Sequence, residues 1–298
     1  MEDRIQLERI LIYIEEQQRK KTGVMKEGEE NDEKAQKIWR EKVWREYAEL
    51  KTAGFREGEN LFLIAAYFAG KPDETVMPLL RRLQMVMKNR EDIISGGMLA
   101  ASYYGAEELA MRIPVLEDGI RNLYGDKSCI EALTGSIMIA DGGPAEVAKA
   151  IQWYMFLAKN GFDMGDCQIA RLIGVVSVIS SSPNLLGQKL LKRASERIVN
   201  KDNKIVNVDN KERKNILQEA FCEVTCAYIQ ELQQREQERM RRLDRTSYKL
   251  LTGEKNVTAA DYAGDYTEEE AISLNGSNLL TGMQQEADLL LAAIHFGV

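Results

Sequence analysis

Cys222 and Cys226 stand four residues apart on one predicted helix, so their sulfurs share a face and could form half of a tetrahedral zinc site. A structural zinc takes four ligands, and the other soft donors are Cys129, Cys167 and the single histidine, His295. Phe221, Val224 and Tyr228 surround the pair, so packing against a core is the expected use of both thiols, and no metal is assigned. His295 lies near the C-terminus, where nothing would hold a general base rigidly. The stretch Asn200 to Asp209 resembles a calcium loop, but it lacks the central glycine and carries Lys204 where an oxygen ligand belongs. Ser95-Gly96-Gly97 and Asp141-Gly142-Gly143 lack the strand before, the helix after and the lysine of a phosphate-binding loop. No nucleophile–base constellation emerges, so no catalytic residue and no cofactor are assigned.

Two groups of side chains remain for binding. Arg235, Arg239, Arg241, Arg242 and Arg245 are interleaved with Glu231, Glu236, Glu238 and Asp244, and mixed signs at this spacing make a solvated, internally paired face. Asn60, Tyr67, Tyr103, Tyr104 and Arg171 lie on or beside helices rich in small residues. They are the polar and aromatic groups placed to line a groove, if the helices form one. The competing reading has them satisfied within the stack.

The elements that must position these groups follow a period. Leu63-Ile64-Ala65-Ala66, Met98-Leu99-Ala100-Ala101, Leu133-Thr134-Gly135-Ser136 and Leu172-Ile173-Gly174-Val175 put a small residue at 65, 100, 135 and 174, in steps of 35, 35 and 39. A turn-forming patch follows each copy, and Tyr47, Leu50, Gly54, Phe55 and Gly58 recur 107 residues on as Tyr154, Leu157, Gly161, Phe162 and Gly165. A period of this length marks stacked helical hairpins. The first helix of each hairpin is predicted at about 58–70, 92–105, 128–140 and 164–180, and the second at about 73–89, 107–124, 144–160 and 184–199. Pro78 and Pro114 fall inside second helices. Gly54 and Gly161 stand where a helix end takes a left-handed residue. An amphipathic helix is predicted over 1–20, a polar linker over 26–32, a helix over 33–53, a loop over 200–210 with a short alternating stretch at 204–208, a long helix over 211–251 and a periodic segment from Leu280 to Ile294.

Composition sets the outer limits. With 298 residues, 44% hydrophobic and 29% charged, the chain can bury a large core. A net charge of −7 disfavours a dedicated nucleic-acid binder, which needs a basic surface. The longest apolar run, Leu172 to Ile179, has eight residues and is too short for a membrane span. The charged start Met1-Glu2-Asp3-Arg4 is unlike an export signal, and four cysteines without framework spacing read as reduced thiols in a cytoplasmic protein.

The segment Tyr47-Ala48-Glu49-Leu50-Lys51-Thr52-Ala53-Gly54-Phe55, followed by the apolar stretch Leu61 to Tyr67, resembles an uncharacterised family of bacterial helical proteins with repeated Lys-x-x-Gly-Phe turns ahead of apolar helices. The resemblance covers about residues 40–195. It implies an all-helical fold and a cytoplasmic setting, and it carries over no catalytic residue.

The expected fold is all-α: about four hairpins stacked as an α-solenoid or curved helical bundle, with capping helices at both ends. The expected divisions are 1–54, N-terminal helices and linker; 55–200, the repeat core; and 201–298, a C-terminal helical region on the core. The expected function is non-catalytic binding or scaffolding, with a groove offered to a protein or peptide partner. The alternative is a small-molecule-binding protein or enzyme that uses carboxylates in a helical groove.

Overall fold

The computed structural model describes residues 2–22, 29–102, 104–139, 142–180, 183–198 and 210–251. Every regular element among them is a helix: α1 (Glu2–Thr22), α2 (Glu29–Thr52), α3 (Glu59–Ala69), α4 (Asp73–Met87), α5 (Ile93–Ala101), α6 (Ala106–Ile120), α7 (Lys127–Ile139), α8 (Pro144–Lys159), α9 (Cys167–Ile179), α10 (Asn184–Ile198) and α11 (Asn210–Leu251). The fold is all-α, as the periodicity predicts. The linker expected through residue 32 is shorter, since α2 already begins at Glu29. The alternating stretch at 204–208, the segment from Leu280 to Ile294 and His295 lie outside the described residues.

Helices α3, α5, α7 and α9 are short and mostly small or apolar around their circumference, and a helix of that kind must be enclosed. Leu61 through Ala69, Ile94 through Ala100, Glu131 through Ile139 and Gln168 through Ile179 are all buried. Helices α4, α6, α8 and α10 bury only one stripe each, such as Leu109, Leu116 and Ile120, or Val147, Ala150, Trp153 and Leu157. The inner helices pack in order, α3 on α5, α5 on α7 and α7 on α9, while α4, α6 and α8 lie against them from outside.

Small residues set the spacing of this inner row. Ala65 and Ala100 are fully enclosed, and Gly135 and Gly174 are buried in the middle of α7 and α9. A Cβ placed on Gly135 would stand 2.4 Å from the Ser95 Cβ of α5, and one on Gly174 would stand 2.6 Å from the Leu133 carbonyl oxygen of α7. The helix backbones therefore touch where only hydrogen fits between them. Contacts also fix direction. Glu131 meets the start of α5, and the hydroxyl of Tyr104, just beyond the end of α5, donates to the Met138 carbonyl near the end of α7. Cys129 meets Cys167 and Leu133 meets Gly174, so α5, α7 and α9 run parallel, with their N-termini at one end of the row.

Both glycine caps have the left-handed backbone expected of them, with φ of +93° at Gly54 and +83° at Gly161. The following amides, of Phe55 and Phe162, donate back to the carbonyls of Leu50 and Leu157, each at 3.2 Å, which closes the ends of α2 and α8. Pro78 and Pro114 are interior to α4 and α6. Helix α2 covers α3, and α1 is held to α2 by Arg40, which donates twice to Glu15 at 2.5 Å. Helix α11 covers α9 and α10, with Arg193 and Arg197 of α10 paired to Glu219 and Glu223. Among the described residues, no helix is long and apolar enough to cross a membrane.

Candidate functional site

The N-terminal end of the inner row gathers buried polar groups from several helices. Asp92 and Asp166 cap α5 and α9, and each carboxylate accepts from amides of the first turn that have no helical partner. Asp126 stands just ahead of α7 and accepts from the Ser128 amide at 2.8 Å. The three aspartates precede Ala100, Gly135 and Gly174 by eight or nine residues, so one sequence frame delivers an acidic group to each helix start.

Asp92 has a second partner from a distant part of the chain. The Arg171 guanidinium of α9 donates to both of its oxygens, at 3.1 and 3.4 Å, across 79 residues of sequence. Arg171 is 2% exposed and Asp92 8%, so this pair lies inside the protein. Burying either charge alone costs several kcal/mol, which the two-point geometry and the additional Ser95 amide and hydroxyl bonds to Asp92 offset. The buried carboxylate of Glu131 accepts from the amides of Glu91 and Asp92, at 2.6 and 2.8 Å, and lies 3.6 Å from Lys127. Arg90 binds Glu117 at 2.8 Å and the Glu131 carbonyl at 3.3 Å. Residues 90–92 are thus clamped to α6, α7 and α9.

Beside this clamp, Cys129 in the first turn of α7 and Cys167 at the first position of α9 bring their sulfurs to 2.9 Å. The two sulfurs and an oxygen of Asp126 all lie within 4.8 Å of one another. The contact between the sulfurs, and then burial, pushes the Cys129 thiol up; the same contact holds the Cys167 thiol below its ordinary value. Tyr124 has a buried hydroxyl without a hydrogen-bond partner among the described residues. Burial raises its pKa, and the nearby Cys129, Tyr154 and Cys167 add to the rise. The sequence offered Cys129 and Cys167 only as further soft donors among four cysteines without framework spacing; the parallel packing of α7 and α9 makes them neighbours across 38 residues.

Two half-open depressions flank this end. One, of about 750 Å³, is formed by Leu7, Tyr47, Phe55, Leu61, Met87 and Ile93 together with Arg56, Glu57, Gly58, Glu59, Asn60 and Glu91. The other, of about 410 Å³, lies between the start of α9 and α11 and includes Asp163, Asp166, Lys214 and Gln218. Asp163 and Lys214 pair at 2.8 Å, and that bond holds the Asp163 carboxyl below the ordinary aspartate range.

The residues predicted to line a groove are not gathered on one surface. Asn60 is exposed and borders the larger depression. Tyr67 is buried with Lys71 above its ring at 4.7 Å. Tyr104 is 1% exposed; its carbonyl accepts from Arg82, and Arg112 lies 4.6 Å above its ring. Arg171 points into the core at Asp92, and Tyr103 lies outside the described residues. Tyr67 and Arg171 turn inward because a helix enclosed on all sides takes its polar side chains with it, and Tyr104, between α5 and α6, is covered by Arg82 and Arg112. Asp92, Glu131 and the Cys129–Cys167 pair were not singled out for a site, although the aspartates and cysteines shared the frame of the small residues.

Cys222 and Cys226 are partly buried against the core, as their neighbours predict. Burial pushes their thiols up, to about 12 and about 11. Within the arginine-rich part of α11, Arg235 pairs with Glu231 at 2.6 Å, the internal pairing expected of mixed signs. No protein-family model, no curated protein and no solved structure matches this chain.

Proposed function

We propose that the chain is a non-catalytic helical-repeat binding protein, acting in the cytoplasm, that presents the N-terminal end of its inner helices to a protein or peptide partner. One observation carries the reading: the depression of about 750 Å³ has an apolar floor and a mainly acidic rim. Leu7, Leu61, Met87 and Ile93 offer a surface for an apolar side chain, with Tyr47 and Phe55 beside them. Glu57, Glu59 and Glu91 outnumber Arg56 on that rim, and although Lys51 pairs with Glu57 at 2.5 Å and Lys127 lies 4.0 Å from Glu91, the excess of carboxylates favours an apolar residue flanked by basic ones. Apolar anchoring supplies affinity, and the carboxylates select by charge.

The inner row supports this reading, because parallel helices held at fixed spacing give a rigid end on which loops and caps can form a contact surface. The alternative, an enzyme using carboxylates, draws less support. Asp92 and Glu131 are engaged by Arg171 and by backbone amides, the use expected of groups that hold helices together.

The test is capture of partners from the source cells by the full chain and by Asn60→Trp, which fills the mouth of the depression from an exposed position. Met155→Ala, at an exposed site on α8, is the control. The reading expects a captured protein to be lost from Asn60→Trp and kept by Met155→Ala, with both variants melting like the parent. Equal capture by both removes the depression from consideration.

A further inference from the structure

We infer that Cys129 and Cys167 are a dithiol that low-molecular-weight disulfides oxidise to a reversible Cys129–Cys167 disulfide, joining the first turns of α7 and α9. The inference is independent of any partner. It starts from packing: Gly174 lets α9 lie directly on the α7 backbone, and that approach presses the two sulfurs to 2.9 Å with no atom between them. Cross-linking needs a closure of less than one ångström, to about 2.05 Å.

The pair also has the asymmetry that exchange requires. Cys129 is fully enclosed, whereas Cys167 is partly exposed at the first position of α9 and is the sulfur an external disulfide can reach. The contact with Cys129 holds the Cys167 thiol below its ordinary value. Cys167 is therefore the attacking group and Cys129 the resolving one.

In the first step, the Cys167 thiolate attacks one sulfur of the external disulfide RSSR. A Cys167–SR bond forms, the RS–SR bond breaks and RS⁻ departs. Cys129 then gives its proton to a departing thiolate and attacks Cys167 Sγ. The protein disulfide forms, and the second RS⁻ leaves and takes up the proton that Cys167 had released. Two protein thiols are oxidised and RSSR is reduced to two RSH.

A metal ion is the competing occupant of the same donors. Asp126, Cys129 and Cys167 supply three ligands where a structural zinc takes four, and Asp126 is already engaged by the Ser128 amide. A tetrahedral zinc would also force the sulfurs apart, to about 3.8 Å for bonds of about 2.3 Å.

The experiment treats the full chain, with Cys222 and Cys226 both changed to Ser, with oxidised glutathione and counts free thiols before and after. Both thiols should disappear together, no glutathione should remain attached, and a non-reducing peptide map should show the Cys129 peptide joined to the Cys167 peptide. Dithiothreitol should restore both thiols. Further substitution of Cys129→Ser should trap one glutathionyl group on Cys167, whereas Cys167→Ser should leave Cys129 unmodified. The same peptide map made on the unsubstituted chain keeps the test valid if the variants fold poorly. Persistence of both thiols, a cross-link involving Cys222 or Cys226 in the unsubstituted chain, equal glutathionylation of the two single variants, or stoichiometric zinc that blocks oxidation would each overturn the inference.

Discussion

Replacing Arg171 by methionine tests whether the buried polar cluster holds the inner helices together. Methionine keeps much of the side-chain volume and removes the guanidinium, leaving the Asp92 carboxylate with only Ser95 as a partner among the described residues. Asp92 is 8% exposed, so water cannot readily replace the lost charge. Breaking a buried pair in this way costs about 3–5 kcal/mol. Against a total stability of about 5–15 kcal/mol, that is a large fraction. At roughly 2–4 °C per kcal/mol, the melting midpoint should fall by roughly 6–20 °C. Urea titration followed by far-UV circular dichroism measures the free energy directly. The double variant Arg171→Met, Asp92→Asn removes both charges and should lose less than the sum of the single variants, by about 1–3 kcal/mol. A loss below about 1 kcal/mol for Arg171→Met, or strict additivity, would refute the reasoning, since such small effects belong to solvated surface sites.

Other outcomes follow from the same geometry. Gly174→Ala should destabilise by about 1 kcal/mol in urea titration, because strain of about 1–3 kcal/mol against the Leu133 carbonyl outweighs a helical gain of about 1 kcal/mol. Gly105→Ala, whose new methyl would meet nothing within 4 Å, should be near neutral by the same assay. Gly54→Val and Gly161→Val should each lower stability by about 1–3 kcal/mol, measured by thermal melting, because a β-branched residue is strained at positive φ. Burial pushes the Glu46 carboxyl up despite its bond from Arg45, so the folded state holds that proton more tightly than the unfolded chain does. The stabilisation from this proton is present below the unfolded glutamate pKa and is lost as pH rises through the folded value. Glu46→Gln should therefore gain stability relative to the parent at neutral pH and lose that advantage in acid, as read from melting curves over that range.

Much of the helical layout was legible because its signals are local. The small residues at 65, 100, 135 and 174 proved buried, and the predicted ends of α3 to α10 fall within a few residues of those observed. Gly54 and Gly161 announced their caps because a left-handed residue after a helix is a requirement of a single chain segment. The groove residues fared differently. Tyr104 and Arg171 have the side chains of a binding surface, but their orientation depends on what covers them, and α4, α6 and α7 enclose the one while Asp92 receives the other.

The sequence by itself determined the helices, their caps and the places where helix backbones could touch, since 3.6-residue periodicity, glycine conformation and side-chain size act over a few residues. Only the tertiary structure decided which starts of helices meet. Parallel packing of α5, α7 and α9 joins Asp92 to Arg171 across 79 residues and Cys129 to Cys167 across 38. Such pairings depend on the order and direction in which the helices pack, and no local pattern encodes the distance between two charges or two sulfurs on different helices.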